Sequence, residues 1–255
     1  MPTEPKIITL YLTHLSKTSK FSTLKRRLAS ISVIHKLNGH YLDTKHPLIT
    51  ENLLGIKRVK GTYQKSKKPI LINDLKTIIN AIDKEKNEKK GIRNKALLLI
   101  GFAGGFRRSE LVEIFFEDIE FVNEGVKIFV KRSKTDQSGE GMIKRIPYFA
   151  NPNYCPVHSL KNWINENKDQ TGKIFNISDK NVALIIKKYA EKAGLDQSKY
   201  SGHSLRSGFA TSTAEQGAEE RSIMAMTGHK TTQMVRRYIR EANLFKNNAL
   251  NKIKI

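Results

Sequence analysis

The chain has 255 residues, 38% of them hydrophobic, and sets 46 Lys and Arg against 24 Asp and Glu, a formal net charge of +22. That length and apolar content suffice for a packed core and exclude wholesale disorder. The basic excess, with a pI near 10.0, favours a polyanionic partner, because each phosphate neutralised releases condensed counterions. The longest apolar run, Ala96 to Phe106, has 11 residues broken by glycines, against the roughly 20 that a spanning helix needs. The opening Met1-Pro2-Thr3-Glu4 lacks the basic-then-apolar order of a secretory signal. A single cysteine, Cys155, allows no internal disulfide. No membrane partner and a cytoplasmic setting are therefore expected.

In chain order, apolar residues at helical spacing predict a helix over 4–17, with Ile7, Ile8, Leu10, Tyr11 and Leu15 on one face. A second follows over 22–38, with Leu24, Leu28, Ile31, Ile34 and Leu37 on its face, Ser22 as N-cap and Gly39 as stop. Lys17, Lys20, Lys25, Arg26, Arg27 and Lys36 stud this pair, as suits a small helical module lying on nucleic acid, although a solvated helix face would look the same. From Ile56 to Lys68 the periodicity dissolves into a basic stretch ending at Pro69. The expected division is a short helical domain over 1–60, a basic linker over 61–69 and a larger domain over 70–255.

The larger part opens with Asn73 as a cap, then an apolar helix over 92–104 and a short one over 107–115. Ile119–Val122, Val126–Lys131 and Met142–Tyr148 read as strands, separated by Asn123-Glu124-Gly125 and by a polar loop from Ser133 to Gly141. Helices are expected over 155–167, 178–193, 203–216, 219–227, 231–239 and 244–253. The class predicted is mainly α with a small antiparallel β-sheet, an α+β chain.

The seven histidines are scattered and only one cysteine exists, so no metal site is read from the sequence. Gly101-Phe102-Ala103-Gly104-Gly105 lacks the Lys-Ser/Thr of a phosphate-cradling loop, and no cofactor is expected. What the sequence does carry is an ordered series. Arg107-Arg108-Ser109-Glu110-Leu111 closes the apolar helix, and Arg132-Ser133-Lys134-Thr135 ends a strand. Ser201-Gly202-His203-Ser204-Leu205-Arg206 opens a helix, Thr227-Gly228-His229-Lys230 ends another, and Tyr238 follows nine residues after His229.

These residue types suit phosphoryl transfer without a metal. His203 and Arg206, three residues apart, leave one helix face. The planar forks of Arg107 and Arg206 could bind the non-bridging oxygens of a phosphodiester and stabilise the added charge of its transition state. A tyrosine phenol, with a resting pKa of about 10, attacks well only beside a base or a strong positive field. His203 could be that base, His229 could donate to a phosphate oxygen, and Lys134 could protonate the departing 5′ oxygen. Taken singly, each residue is ordinary on so basic a chain. Their joint order is not.

The series resembles that of the tyrosine recombinases, the phage-type integrases with a Cre-like catalytic domain. Arg-x-Ser-Glu-Leu is similar to their first box, Arg-Ser-Lys-Thr to their β-hairpin lysine, Ser-Gly-His-Ser-Leu-Arg to their His-x-x-Arg box, and Gly-His-Lys-Thr-Thr with Tyr-Ile-Arg to their closing segment. The resemblance covers about residues 70–255 and, more faintly, 3–60. It implies Arg107, Lys134, His203, Arg206 and His229 as activating residues, Tyr238 as nucleophile, and Glu110 as a partner that orients a positive side chain. Register selects Arg107 over Arg108 as the phosphate-holding arginine, since Arg108 turns about 100° away on a helix. The family's N-terminal domain has four or five helices, whereas two are evident here.

The resemblance further implies site-specific cleavage and rejoining of double-stranded DNA through a 3′-phosphotyrosyl link, with no cofactor. It implies homo-oligomers, dimer to tetramer, assembled on DNA through the C-terminal tail, and a nucleoid-associated protein when bound. A DNA-binding remnant of a mobile element and a type IB topoisomerase-like relaxing enzyme are the alternative readings.

Overall fold

The computed structural model describes residues 2–63, 66–132, 139–167, 171–243 and 249–253, with backbone alone for 241–243. The chain divides into two compact units, Met1–Ser66 and Lys67–Ile255.

The first unit consists, among its described residues, of three helices: α1 (Pro5–Ser16), α2 (Phe21–Leu37) and α3 (Pro47–Lys60). Proline at the first turn starts α1 and α3, where its missing N–H costs nothing, and His46 caps α3 by accepting from the Leu48 amide. Helix α3 corrects the expectation of only two helices before the linker, and of periodicity lost from Ile56. Its buried positions, Ile49 and Ile56, lie two turns apart and are too sparse to show as periodicity.

The expected apolar faces are also corrected. On α1 the buried stripe is Ile8 and Leu12, with Leu15 packed beside them, while Ile7, Leu10 and Tyr11 are exposed. On α2, Leu24 and Leu28 are buried but Ile34 and Leu37 are exposed. Three helices enclose one narrow seam, so each can bury only one stripe of its apolar residues. Ser22 is not the cap of α2, which starts one residue earlier after Lys20.

The second unit begins with α4 (Ile72–Ile82), preceded by Leu71 rather than capped by Asn73. Helix α5 (Glu88–Ala103), capped by Asn87, is buried on every side from Ala96 to Ala103, which is why no polar side chain interrupts that stretch. After α6 (Arg108–Val112), three antiparallel strands follow: β1 (Ile119–Val122), β2 (Gly125–Val130) and β3 (Met142–Pro147), in the order β1-β2-β3. The register sets Ile119 opposite Ile128 and Val126 opposite Ile146. Val126, Ile128 and Val130 face the core while Phe129 points out, the period of two that marked the strand in the sequence.

Helices α7 (Pro156–Asn165), α8 (Asp179–Lys192), α9 (Ser204–Glu215), α10 (Glu220–Thr227) and α11 (Thr232–Asn243) complete the unit. The chain is thus mainly α with a small antiparallel sheet, as expected. Of the helix expected over 244–253, residues 249–252 form a short 3-10 turn and 244–248 lie outside the described residues. One large core joins α4, α5, α7, α8, the sheet and the start of α9. A satellite of Ala210, Ala214, Ile223 and Val235 holds α9, α10 and α11 together. The site forms where these two clusters meet.

Candidate active site

Arg107 stands at the turn between α5 and α6. Gly105 makes that turn with φ +55°, a conformation that a side chain would strain, and a Cβ there would press on Phe209 and Thr227. The buried Glu110 carboxylate accepts from the Arg107 amide at 3.0 Å and from its guanidinium at 2.5 Å. It therefore holds the arginine in place. Arg108 turns aside, half-exposed and 3.8 Å from Asp179, with its stem lying over Gly202.

Arg206, on the first turn of α9, is 1% exposed. Its Nη1 donates to the Gly105 carbonyl at 2.9 Å, and its buried Nη2 meets no hydrogen-bond acceptor among the described residues. A buried cation with an unused donor is expensive unless an anion completes it. Burial first, and then the Arg107 charge, push its pKa down to about 10, so the guanidinium stays protonated at neutral pH.

His203 precedes α9 and its Nε2 lies 3.2 Å from the Tyr238 hydroxyl. Desolvation, followed by the charges of Arg206, Arg107, Arg237 and Arg108, holds this imidazole below its usual 6.5. It is therefore neutral near pH 7, the form able to take a phenolic proton. Tyr238 reaches it from α11, where Val235, one turn earlier, is fully buried in the satellite cluster and fixes the helix face. Arg206 in turn senses the Tyr238 phenol, so the phenol and the buried guanidinium share one electrostatic neighbourhood.

His229 follows Gly228, which ends α10 in the left-handed conformation at φ +65°. Its ring centroid lies 6.0 Å from that of Tyr238. Thr227 Oγ1 lies 2.6 Å from the Ile223 carbonyl and 2.7 Å from His229 Nδ1, so it anchors this ring. Burial, then Arg206 and Arg107, depress its pKa to about 4. His229 is therefore neutral near pH 7.

The structure brings Arg107, His203, Arg206, His229 and Tyr238 together; Lys134 lies outside the described residues. Sequence reasoning missed Thr227, whose place two residues before His229 was its only signal. It also missed Arg237, one of the charges acting on His203.

The model of the phage integrase family matches residues 70–244. The chain is 41% identical to the "Integrase/recombinase xerD homolog" of Selenomonas ruminantium, over 99% of this chain and 78% of that protein. It is 26% identical to a "Tyrosine recombinase XerC" of Staphylococcus aureus, over 92% of this chain and 74% of that one. Among solved structures, a post-cleavage complex of the XerH site-specific recombinase with its difH substrate superposes with a TM-score of 0.70 at 18% identity, covering 96% of this chain and 73% of that one. A lambda integrase dimer bound to a core site gives 0.61 at 17% identity, covering 99% and 68%. With a family match over most of its length and a relative this similar across nearly all of it, the chain belongs to the phage integrase family and is a tyrosine recombinase.

Proposed function

We propose that this recombinase cuts one strand of duplex DNA at a specific site with Tyr238 and rejoins it to a partner strand. Arg107 and Arg206 grip the non-bridging oxygens of the scissile phosphate. His203 accepts the phenolic proton as the Tyr238 oxygen–phosphorus bond forms, and the bond from phosphorus to the 5′ oxygen breaks. Lys134 supplies the proton that this oxygen takes up. His229 donates to a phosphate oxygen. The products are a 3′-phosphotyrosyl link and a 5′ hydroxyl. Attack by the 5′ hydroxyl of a partner duplex reverses the chemistry, returns the proton to Tyr238 and needs no ATP, because the ester conserves the bond energy.

The observation that carries this reading is the 3.2 Å approach of His203 to Tyr238 beside a buried Arg206 with an unused donor. The test is a nicked duplex library with randomised sites, in which release of the short 5′ fragment traps the covalent complex. Wild-type protein gives a detergent-resistant adduct. Tyr238→Phe gives none yet retains duplex binding, and an adduct persisting in that variant would exclude Tyr238.

Residues 1–60 and 70–255 in this reading each bind DNA and are joined by the basic linker, in a cytoplasmic, nucleoid-associated protein. Dimers to tetramers form on DNA as the tail from Leu244 docks on a neighbouring protomer. Exposed Leu250 and Ile253 support that role for the tail. Deleting residues 244–255 should leave single-site binding and remove higher DNA-bound species in sedimentation; unchanged assembly would exclude the tail.

A further inference from the structure

Strand β3 carries Lys144 on its inner face, between Met142 and Ile146, and the residue is fully buried. Its Nζ donates to the Gly104 carbonyl at 2.7 Å and to the Met226 carbonyl, and sits 4.7 Å from the Phe106 ring centroid. Those two carbonyls belong to the two turns from which the site is hung. Gly104 adjoins Gly105, which holds Arg206, and lies three residues before Arg107. Met226 adjoins Thr227, which holds His229.

We infer that Lys144 is a positioning residue: it ties the arginine turn to the histidine turn and so aligns Arg107, Arg206 and His229 on one phosphate. The inference rests on the proposed reading of the site. An enclosed amine bonded to two backbone carbonyls cannot also reach a leaving oxygen, so its task differs from that of Lys134. Methionine would fill nearly the same volume without the desolvation cost of an ammonium. What the lysine adds is its donors. The charged groups around it are Glu110, which favours its charged form, and Arg107 and Arg206, which oppose it, while His229 senses it in turn. Burial and these arginines lower its pKa to about 7, but a neutral amine still has two N–H donors for two carbonyls, so the tie survives loss of the charge.

The test compares wild type, Lys144→Met and Lys144→Gln on a duplex selected from the nicked library and on the same duplex with a methylphosphonate at the scissile position. The methylphosphonate has one fewer charged oxygen to align. Lys144→Met should form adduct roughly 100-fold more slowly on the phosphodiester, with duplex affinity changed less than about threefold. Lys144→Gln, which keeps an amide donor, should fall between. On the methylphosphonate the Lys144→Met deficit should shrink to below about tenfold, since less transition-state charge needs stabilising. A sulfur at the 5′ bridging position leaves without a proton and should rescue Lys134→Ala but not Lys144→Met.

Lys144→Met cleaving within about threefold of wild type would overturn the inference. So would equal deficits on both substrates with affinity lost in parallel, the mark of a purely structural lysine. If Lys144→Met shows no cooperative melting, Lys144→Gln carries the same comparison. Absence of adduct in wild type would instead overturn the nucleophile assignment beneath it.

Discussion

Arg206 leaves a helix whose first turn is sunk in the main core, and only 1% of its surface meets solvent. Tyr238 leaves a helix held by the cluster of Ala210, Ala214, Ile223 and Val235, and is itself only partly buried. Arg206 is therefore built into the larger core, and Tyr238 into a helix seated on a small cluster of four buried residues. Electrostatic stabilisation requires donors that do not reorganise as charge develops. A nucleophile that must approach phosphorus, form an ester and later leave it gains from a helix whose local stability is low.

Removing Arg206 should have the largest effect in breaking that comparison. Arg206→Ala should slow adduct formation roughly a thousandfold, the upper range for loss of one such donor. Adduct formation within tenfold of wild type would show that the buried fork is not the phosphate grip. At the other half, Val235→Ala removes two methyl groups from the satellite and should weaken α11 docking by roughly 2 kcal/mol. Amide exchange in residues 232–240 should then quicken about thirtyfold while α5 is unchanged. If both helices loosen together, the two halves form one cooperative body and the contrast fails.

The smallest effect sharpens the electrostatics. In Arg206→Ala the His229 pKa should rise from about 4, because a positive neighbour has gone, yet stay below 6.5 because burial remains its first cause. Histidine carbon shifts across pH 3–8 report this directly. An unmoved value would mean that Arg206 and His229 do not share a site.

Much of this site was legible in the sequence because its chemistry is tied to residue type and order. Arg107, His203, Arg206, His229 and Tyr238 needed only a common meeting point, and the alternation of β2 and the apolar run of α5 supplied the scaffold. Lys144 was hidden for a physical reason. Among 46 Lys and Arg, a basic residue carries no information by type, and only its inward register between Met142 and Ile146 marks it. Thr227 was hidden because its role is one hydrogen bond made after folding. The exposed faces of α1 and α2 misled because apolar periodicity reports what a helix can bury, not what a three-helix seam has room for.

The most direct measurement is the chemical position of the trapped DNA. Trypsin cuts after Arg237 and Arg240, so digestion of the adduct followed by nuclease should leave nucleotide mass on the peptide Tyr238-Ile239-Arg240. Fragmentation that puts the phosphate on the Tyr238 oxygen is the predicted result. A nucleotide carried by any other residue would contradict the account.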